Sequence, residues 1–475
     1  MATTRTRPLS RAIFRAISAF SGVKVLSLLC SVIRNKLIAV LLGPSGMGII
    51  SLYNSAIEMI GALSRLSVDQ SAIRDISGST GADNADRITV VVRRWCLWLG
   101  IAGAAVMCLF SPLLSRWMFG DTSRWMNFCA LSAVPFVTTV ATGYTSLMTG
   151  FGQLRRLVKA TLFSSLIALI VSAALLLWLG ENAIIPMLIG NALAVLAGAL
   201  VFSPRARRVA MSFREIWHYG AGFIRLGILI TIATFVSYLF SYLFVIYLNN
   251  TASTADVGIY QPGYTLLNTY VAVFFAGVWV EYYPRLGRAI HSRRSVSAIV
   301  SHEISITLSI LLPAAIAFIA ADSLIVSLLY DRTFLGVLPF LTTGIAGIVF
   351  RTFSWCVAYV IIAKGDGKIF ILTESIDAVL GLLLNILGWH IGGFTGLGIS
   401  YVIWYMLYSV IVYTVYRRRY GLRMPRQTIF LTCGVAFVLA AAIILKLTFG
   451  WWATAVMAVL AVPVSLRSLR RRSLA

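Results

Sequence analysis

Between residues 14 and 466 the chain is one apolar run after another. Each is close to the ~20 residues that a helix needs to cross a bilayer, and short polar connectors separate them. Composition agrees: of 475 residues, 59% are hydrophobic and 12% are charged, against about a quarter charged in a soluble domain. The mean hydropathy is +0.88. Soluble packed cores, disordered chains, collagen-like repeats and disulfide-rich secreted scaffolds are all excluded. What remains is an all-α polytopic membrane protein.

Fourteen candidate spans follow from the runs: 14–42, 46–68, 89–112, 125–149, 156–179, 183–203, 219–248, 256–281, 297–320, 336–363, 369–389, 393–416, 428–446 and 450–466. Almost no connector separates the last two, at Phe449-Gly450, so a re-entrant pair is the alternative there. Charge sets the orientation. With the N-terminus inside, and charges near span ends counted with the adjoining segment, thirty of the forty Lys and Arg residues fall in inside segments, four fall outside, and six lie deeper within spans. That alternation is the positive-inside pattern and places both termini in the cytoplasm.

The net charge of +24 therefore belongs to membrane topology and not to nucleic-acid binding. The N-terminal Arg5, Arg7, Arg11 and Arg15 precede a long apolar stretch with no small-residue cleavage site, which reads as a retained first helix. No loop exceeds about 22 residues and no P-loop motif occurs, so an ATP-driven cycle within this chain is not expected. The cysteines (Cys30, Cys96, Cys108, Cys129, Cys356, Cys433) lie in apolar stretches and read as small buried hydrophobes. The four histidines (His218, His291, His302, His390) show no ligand spacing, and no metal site or catalytic constellation is expected.

The two halves resemble each other. MGIISLYNS at 47–55 and VGIYQPGYT at 257–265 each open the second helix of a half, at an offset of 210. Asp121 and Asp331 follow the third and ninth spans at the same offset. Gly150-Phe151-Gly152 and Gly365-Asp366-Gly367 follow the fourth and tenth, at 215. A six-plus-six parallel repeat is expected, with two pseudo-symmetric six-helix lobes around a central cavity and two further C-terminal helices. The lobes would be 1–210 and 211–420, with 421–475 as the appendage.

Ionisable residues inside a span are costly and mark function by default. Lys24, Arg34 and Lys36 lie on the first helix, Arg65 late in the second, Arg225 early in the seventh and Arg351 deep in the tenth. At ~1.5 Å and ~100° per residue, Lys24 and Arg34 lie about 15 Å apart along the helix and about 80° apart around it, so both can face one cavity. Lys36 points away from Arg34. Pairing SGVK (21–24) with GFIR (222–225) matches Lys24 to Arg225. One reading is a cationic cavity for an anionic, phosphate-bearing substrate. The other is internal pairing, with Glu58 neutralising Lys24 or Arg34, and Glu281 or Glu303 neutralising others. Glu374 and Asp377 share a face of the eleventh span, with Asn385 further along. They suit a proton or Na⁺ coupling site, or alternatively an interfacial pair serving Lys364 or Lys368.

Residues Phe20 to Leu66 read FSGVKVLSLLCSVIRNKLIAVLLGPSGMGIISLYNSAIEMIGALSRL. A long first helix with internal basic residues, the Gly43-Pro44-Ser45-Gly46-Met47-Gly48 turn and a polar second helix together resemble one known group. These are the polysaccharide flippases (Wzx-like O-antigen translocases) of the multidrug/oligosaccharidyl-lipid/polysaccharide exporter (MOP) superfamily. Beyond residue 66 the resemblance is one of span order and repeat. It implies an inverted-V fold whose cavity accepts the sugar and pyrophosphate head of an undecaprenyl-linked oligosaccharide. It also implies transfer of that head from the cytoplasmic to the periplasmic leaflet of a bacterial inner membrane, without a cofactor. Lys24 and Arg34 would contact the head group, with Arg225, Glu58, Arg65 and Arg351 as further lining residues. Glu374 and Asp377 would take H⁺ or Na⁺. Membrane lipids and the polysaccharide polymerase machinery are the expected partners. The competing readings are a cation-coupled multidrug antiporter of the same superfamily, which would call for an acid-lined cavity, and a membrane polymerase or glycosyltransferase, which would call for a large outer loop or acidic catalytic motifs.

Overall fold

The computed structural model describes residues 7–68, 82–203, 209 and 211–473; side chains are described from residue 26 onward, except at 82–85, 221–226, 229–230, 273, 276–277, 279–280, 464 and 466–473. Every regular element among these residues is helical. Eight helices are long and apolar enough to cross a membrane, and a ninth span arises if Arg332–Gly344 and Gly347–Ala363, bent by 59°, count together. Three of the eight are double-length, at 40, 48 and 52 residues. These stretches fold back at glycine corners, so the fourteen expected passes are compatible with what is seen.

The first corner is the Gly43-Pro44 turn. Gly43 adopts φ 63°, ψ −168°, a region essentially closed to residues with a Cβ. Pro44, with its fixed φ and no N–H to satisfy, then opens the next helix. The segments 7–42 and 44–65 are thus two helices. A Cβ on Gly48 would lie 1.9 Å from the Thr254 carbonyl oxygen, so the second helix needs glycine where it meets that backbone. Gly180 (φ 56°) separates Leu154–Leu179 from Ile184–Val201, and Gly393 (φ 53°) breaks Gly367–Arg418.

The internal repeat is visible in these corners. The carboxylate of Asp121 accepts from the Ser123 amide (3.0 Å) and hydroxyl (2.7 Å). Asp331 does the same with Thr333, at 3.2 and 3.1 Å. Both are Asx turns. Gly152 (φ 67°) and Gly365 (φ 72°) end corresponding helices, and the next residue in each case donates five residues back, Gln153 to Met148 and Asp366 to Ile361. The structural partner of Gly365 is therefore Gly152, two residues on from the Gly150 of the sequence match.

Two compact units emerge, residues 1–255 and 256–475. The helix Phe213–Thr251 packs in the first unit, opened by a capping box in which Ser212 and Glu215 satisfy each other's backbone amides. In the same unit Gly198 lies against Ala160 and Ser164, and Ser172 donates to Asn191 at 2.9 Å. Such small-residue contacts and interhelical hydrogen bonds hold helices together in lipid. In the second unit a π-helical turn, Thr265–Tyr270, interrupts the segment between Thr254–Tyr264 and Val271–Ala289. The connector after Arg418 is tied by Arg419 and Tyr420 to Asp366. The hydrogen bond from Arg419 holds the Asp366 carboxyl below the ordinary range of an aspartate.

Several expectations need correction. Cys108 and Cys433 are exposed and Cys129 is half-buried, so only Cys30, Cys96 and Cys356 are core hydrophobes. Glu281 is exposed and pairs with Arg285 at 3.4 Å, so it neutralises no membrane cation. Lys446, counted among the four outside charges, is half-buried in the helix Arg426–Phe449 as the ion-pair partner of Asp322. The helix Arg426–Phe449 spans about 36 Å and suffices to cross a bilayer. The apolar part of the last helix, Trp451–Pro463, covers only about 20 Å.

Candidate functional site

A cavity of about 640 Å³ opens within the first unit. Its walls come from five helices and its polar groups recur at helical spacing. Ser27 and Arg34 come from the first helix, Asn54, Glu58 and Arg65 from the second, and Thr138 and Thr145 from Ala133–Gly150. Thr161 and Ser165 come from the fifth and Asn191 from the sixth. Steps of four and seven residues return a side chain to the same helix face, which is how one strip of each helix becomes polar. The Ser27 and Ser165 hydroxyls meet at 2.7 Å.

Three sequence-predicted residues, Arg34, Glu58 and Arg65, converge here. Arg34 and Arg65 are half-buried, whereas Glu58 is exposed to the cavity. Among the described residues Glu58 forms no ion pair with Arg34; it interacts at longer range with Arg65 and with the Tyr238 hydroxyl. A Cβ on Gly61 would sit 3.0 Å from the Arg65 guanidinium, so glycine at 61 leaves room for that group to fold back along its helix. Two guanidiniums and one carboxylate, ringed by Asn, Ser and Thr, leave the described lining with a net positive charge. Lys36 is half-buried and not part of the lining. Lys24 and Arg225 lie outside the described residues as far as their side chains are concerned.

Arg351 lies in the second unit. Its Nη1 donates to the Leu267 carbonyl (2.8 Å) and the Tyr401 hydroxyl (3.3 Å), and its guanidinium lies over the rings of Phe275 and Tyr405. Leu267 belongs to the π-helical turn, whose altered hydrogen bonding accompanies a carbonyl turned to an arginine. Nearby, Trp404 Nε1 donates to Asp377 (2.8 Å) and the Tyr408 hydroxyl to Glu374 (2.9 Å). Lys364 instead donates to the Ile290 carbonyl at 2.6 Å. Among the described residues neither carboxylate pairs with Lys364 or Lys368, so the interfacial-pair alternative is not realised. Ser400 donates to Asn385 at 3.0 Å. No group of three or more His, Cys, Asp and Glu among the described residues is placed to hold a metal ion.

Residues 9–339 match the sequence model of a family described as polysaccharide biosynthesis protein. The chain belongs to that family. Its relatives include the Lipid III flippase of Escherichia coli (strain K12), 24% identical over an alignment of 403 residues, with 81% of this chain and 94% of the relative covered. Among solved structures, an inward-facing multidrug resistance MATE family transporter of the MOP superfamily superposes with a TM-score of 0.71 at 16% identity. It covers 83% of this chain and 94% of its own. The lipid II flippase MurJ, in an inward closed conformation, superposes with a TM-score of 0.70 at 12% identity, covering 96% and 99%. The chain thus has the fold of the MOP superfamily and is a multi-pass membrane protein.

Two features of this family member escaped the sequence reading. Asp322, only 1% exposed on Arg293–Leu329, forms a buried ion pair with Lys446 and accepts from Thr342 at 2.7 Å. It fell two residues beyond the assigned ninth span, because hydropathy marks only the apolar middle of a longer helix. The aromatic set Tyr401, Trp404, Tyr405 and Tyr408 around Arg351, Glu374 and Asp377 was also missed. Its spacing of three, four and seven residues carries the signal in YVIWYMLYS.

Proposed function

We propose that this chain is a flippase for a polyprenyl-pyrophosphate-linked oligosaccharide. It would move an O-antigen or other surface-glycan unit from the cytoplasmic to the periplasmic leaflet of the inner membrane by alternating access, with both termini cytoplasmic. The observation that carries the reading is the first-unit cavity, which Arg34 and Arg65 both line, without a direct carboxylate partner among the described residues, amid Asn, Ser and Thr side chains. A volume of about 640 Å³ falls within the range of small-ligand pockets and suits a pyrophosphate with its first sugar. Guanidiniums match phosphate oxygens in a fork, and the amides and hydroxyls match sugar hydroxyls. A charged head cannot enter hydrocarbon unpaired without a cost of several kcal/mol or more. A polar basic cavity removes that cost while the polyprenyl tail stays in lipid. Family membership and a relative named Lipid III flippase support the same class of substrate.

Glu374 and Asp377 are the groups through which an H⁺ or Na⁺ gradient would drive the cycle, with no other cofactor. On the outer face the delivered unit would pass to polymerase machinery. The likeness to a multidrug MATE transporter keeps one alternative in view, a cation-coupled drug antiporter. A net-positive cavity disfavours cationic drugs. Proteoliposomes separate the two readings. The expected result is transfer of a fluorescent polyprenyl-pyrophosphate oligosaccharide between leaflets, with no uptake of an organic cation such as ethidium. Ethidium exchange against protons without lipid transfer would overturn the flippase reading.

A further inference from the structure

Cys108 is the penultimate residue of the helix Ala82–Leu109, and Cys129 lies in Trp125–Leu131 at the start of the next span. Their sulfurs are 2.9 Å apart, against about 2.05 Å for a disulfide bond. The approach is fixed by the core. The neighbours Met107 and Phe128 are fully buried, and Phe128 packs edge-on against Tyr53 at 5.0 Å. Ser111 and Ser132 donate to the carbonyls of Cys108 and Cys129 at 2.7 and 2.6 Å. The backbone at both cysteines is therefore held in place by packed helix ends. Cys108 is exposed and Cys129 half-buried, each four residues inside its expected span, and the connector between the two helices carries the exposed Asp121 and Arg124.

We propose that Cys108 and Cys129 form a disulfide on the outer face of the membrane. The proposal rests on the orientation given above, which puts this connector in an oxidising compartment. The co-reactant is a protein disulfide of that compartment. The Cys108 thiolate attacks it, forming a mixed disulfide and releasing one thiol. The Cys129 thiolate then attacks the Cys108 sulfur and releases the second. The two thiols of this chain are oxidised by two electrons, the oxidant's disulfide becomes a dithiol, and the two protons pass to it. The bond ties the outer end of the third helix to the fourth, which carries Thr138 and Thr145 of the cavity wall. A 21-residue separation is closed, which restricts the unfolded chain.

The test uses the full chain in its native membrane, quenched with N-ethylmaleimide, digested without reduction and read by mass spectrometry. A linked Cys108–Cys129 peptide that separates on reduction is expected, as is a fall of a few degrees in the Tm of the wild-type protein when it is reduced. Reduction should leave the Tm of Cys108→Ser unchanged. Orientation is read independently in a Cys108→Ser/Cys129→Ser background with an impermeant maleimide. Asn250→Cys should label from outside and Arg293→Cys should not. Free thiols at 108 and 129 with that labelling pattern would overturn the disulfide and leave the orientation standing. Outside labelling of Arg293→Cys would overturn the orientation and the disulfide together.

Discussion

At the scale of residues, charges inside the second unit are held in two different ways. Asp322 is enclosed and satisfied by Lys446 and Thr342. Glu374 and Asp377 each receive one hydrogen bond, from Tyr408 and Trp404. Removing one partner of a buried pair strands the other charge, at a cost of about 3–5 kcal/mol. Lys446→Ala should therefore lower stability by that order in thermal unfolding. Asp322→Leu combined with Lys446→Met should recover most of it. The carboxylate pair is expected to behave otherwise. Glu374→Gln and Asp377→Asn keep the acceptors for Tyr408 and Trp404 and remove the negative charge. Both variants should fold, transport more slowly and lose part of the response to an imposed ion or pH gradient. An unchanged gradient response in both would remove the pair from the mechanism.

At the scale of elements, the order of the spans was legible because twenty apolar residues in a row leave the backbone one way to satisfy itself in lipid. Their ends were less so. The ninth span read as 297–320, yet its helix runs Arg293–Leu329. Helices continue into the interface, where polar residues such as Asp322 no longer look like membrane. The site was legible where polar residues recur along one helix, as with Glu58 and Arg65. It was not legible where the partner comes from a distant helix, as with Trp404 for Asp377 or Leu267 for Arg351. The Gly43-Pro44 turn is readable in both sequence and structure. Gly43→Ala would force a Cβ into a conformation that costs about 1–3 kcal/mol. A matching fall in thermal stability is expected, whereas Gly434→Ala, inside a helix with nothing within 4 Å of the added methyl, should cause none.

At the scale of the whole molecule, the fold of the MOP superfamily serves drug transporters and lipid flippases alike, so the side chains lining a cavity must choose the cargo. In the proposed flippase reading that choice turns on Arg34. A charge-assisted hydrogen bond to phosphate is worth about 1.5–3 kcal/mol, or roughly a 10- to 100-fold change in rate. The decisive measurement is the rate of lipid-linked oligosaccharide transfer in proteoliposomes by Arg34→Ala, Arg34→Lys and Arg34→Ala/Glu58→Gln, each at wild-type levels of folded protein. The cavity account expects Arg34→Ala to lose activity by that factor and Arg34→Lys to retain part of it, because the charge survives without the fork. It expects the double variant to remain as slow as Arg34→Ala. Normal transfer by the double variant would mean that Arg34 serves only to balance Glu58, and would contradict the account.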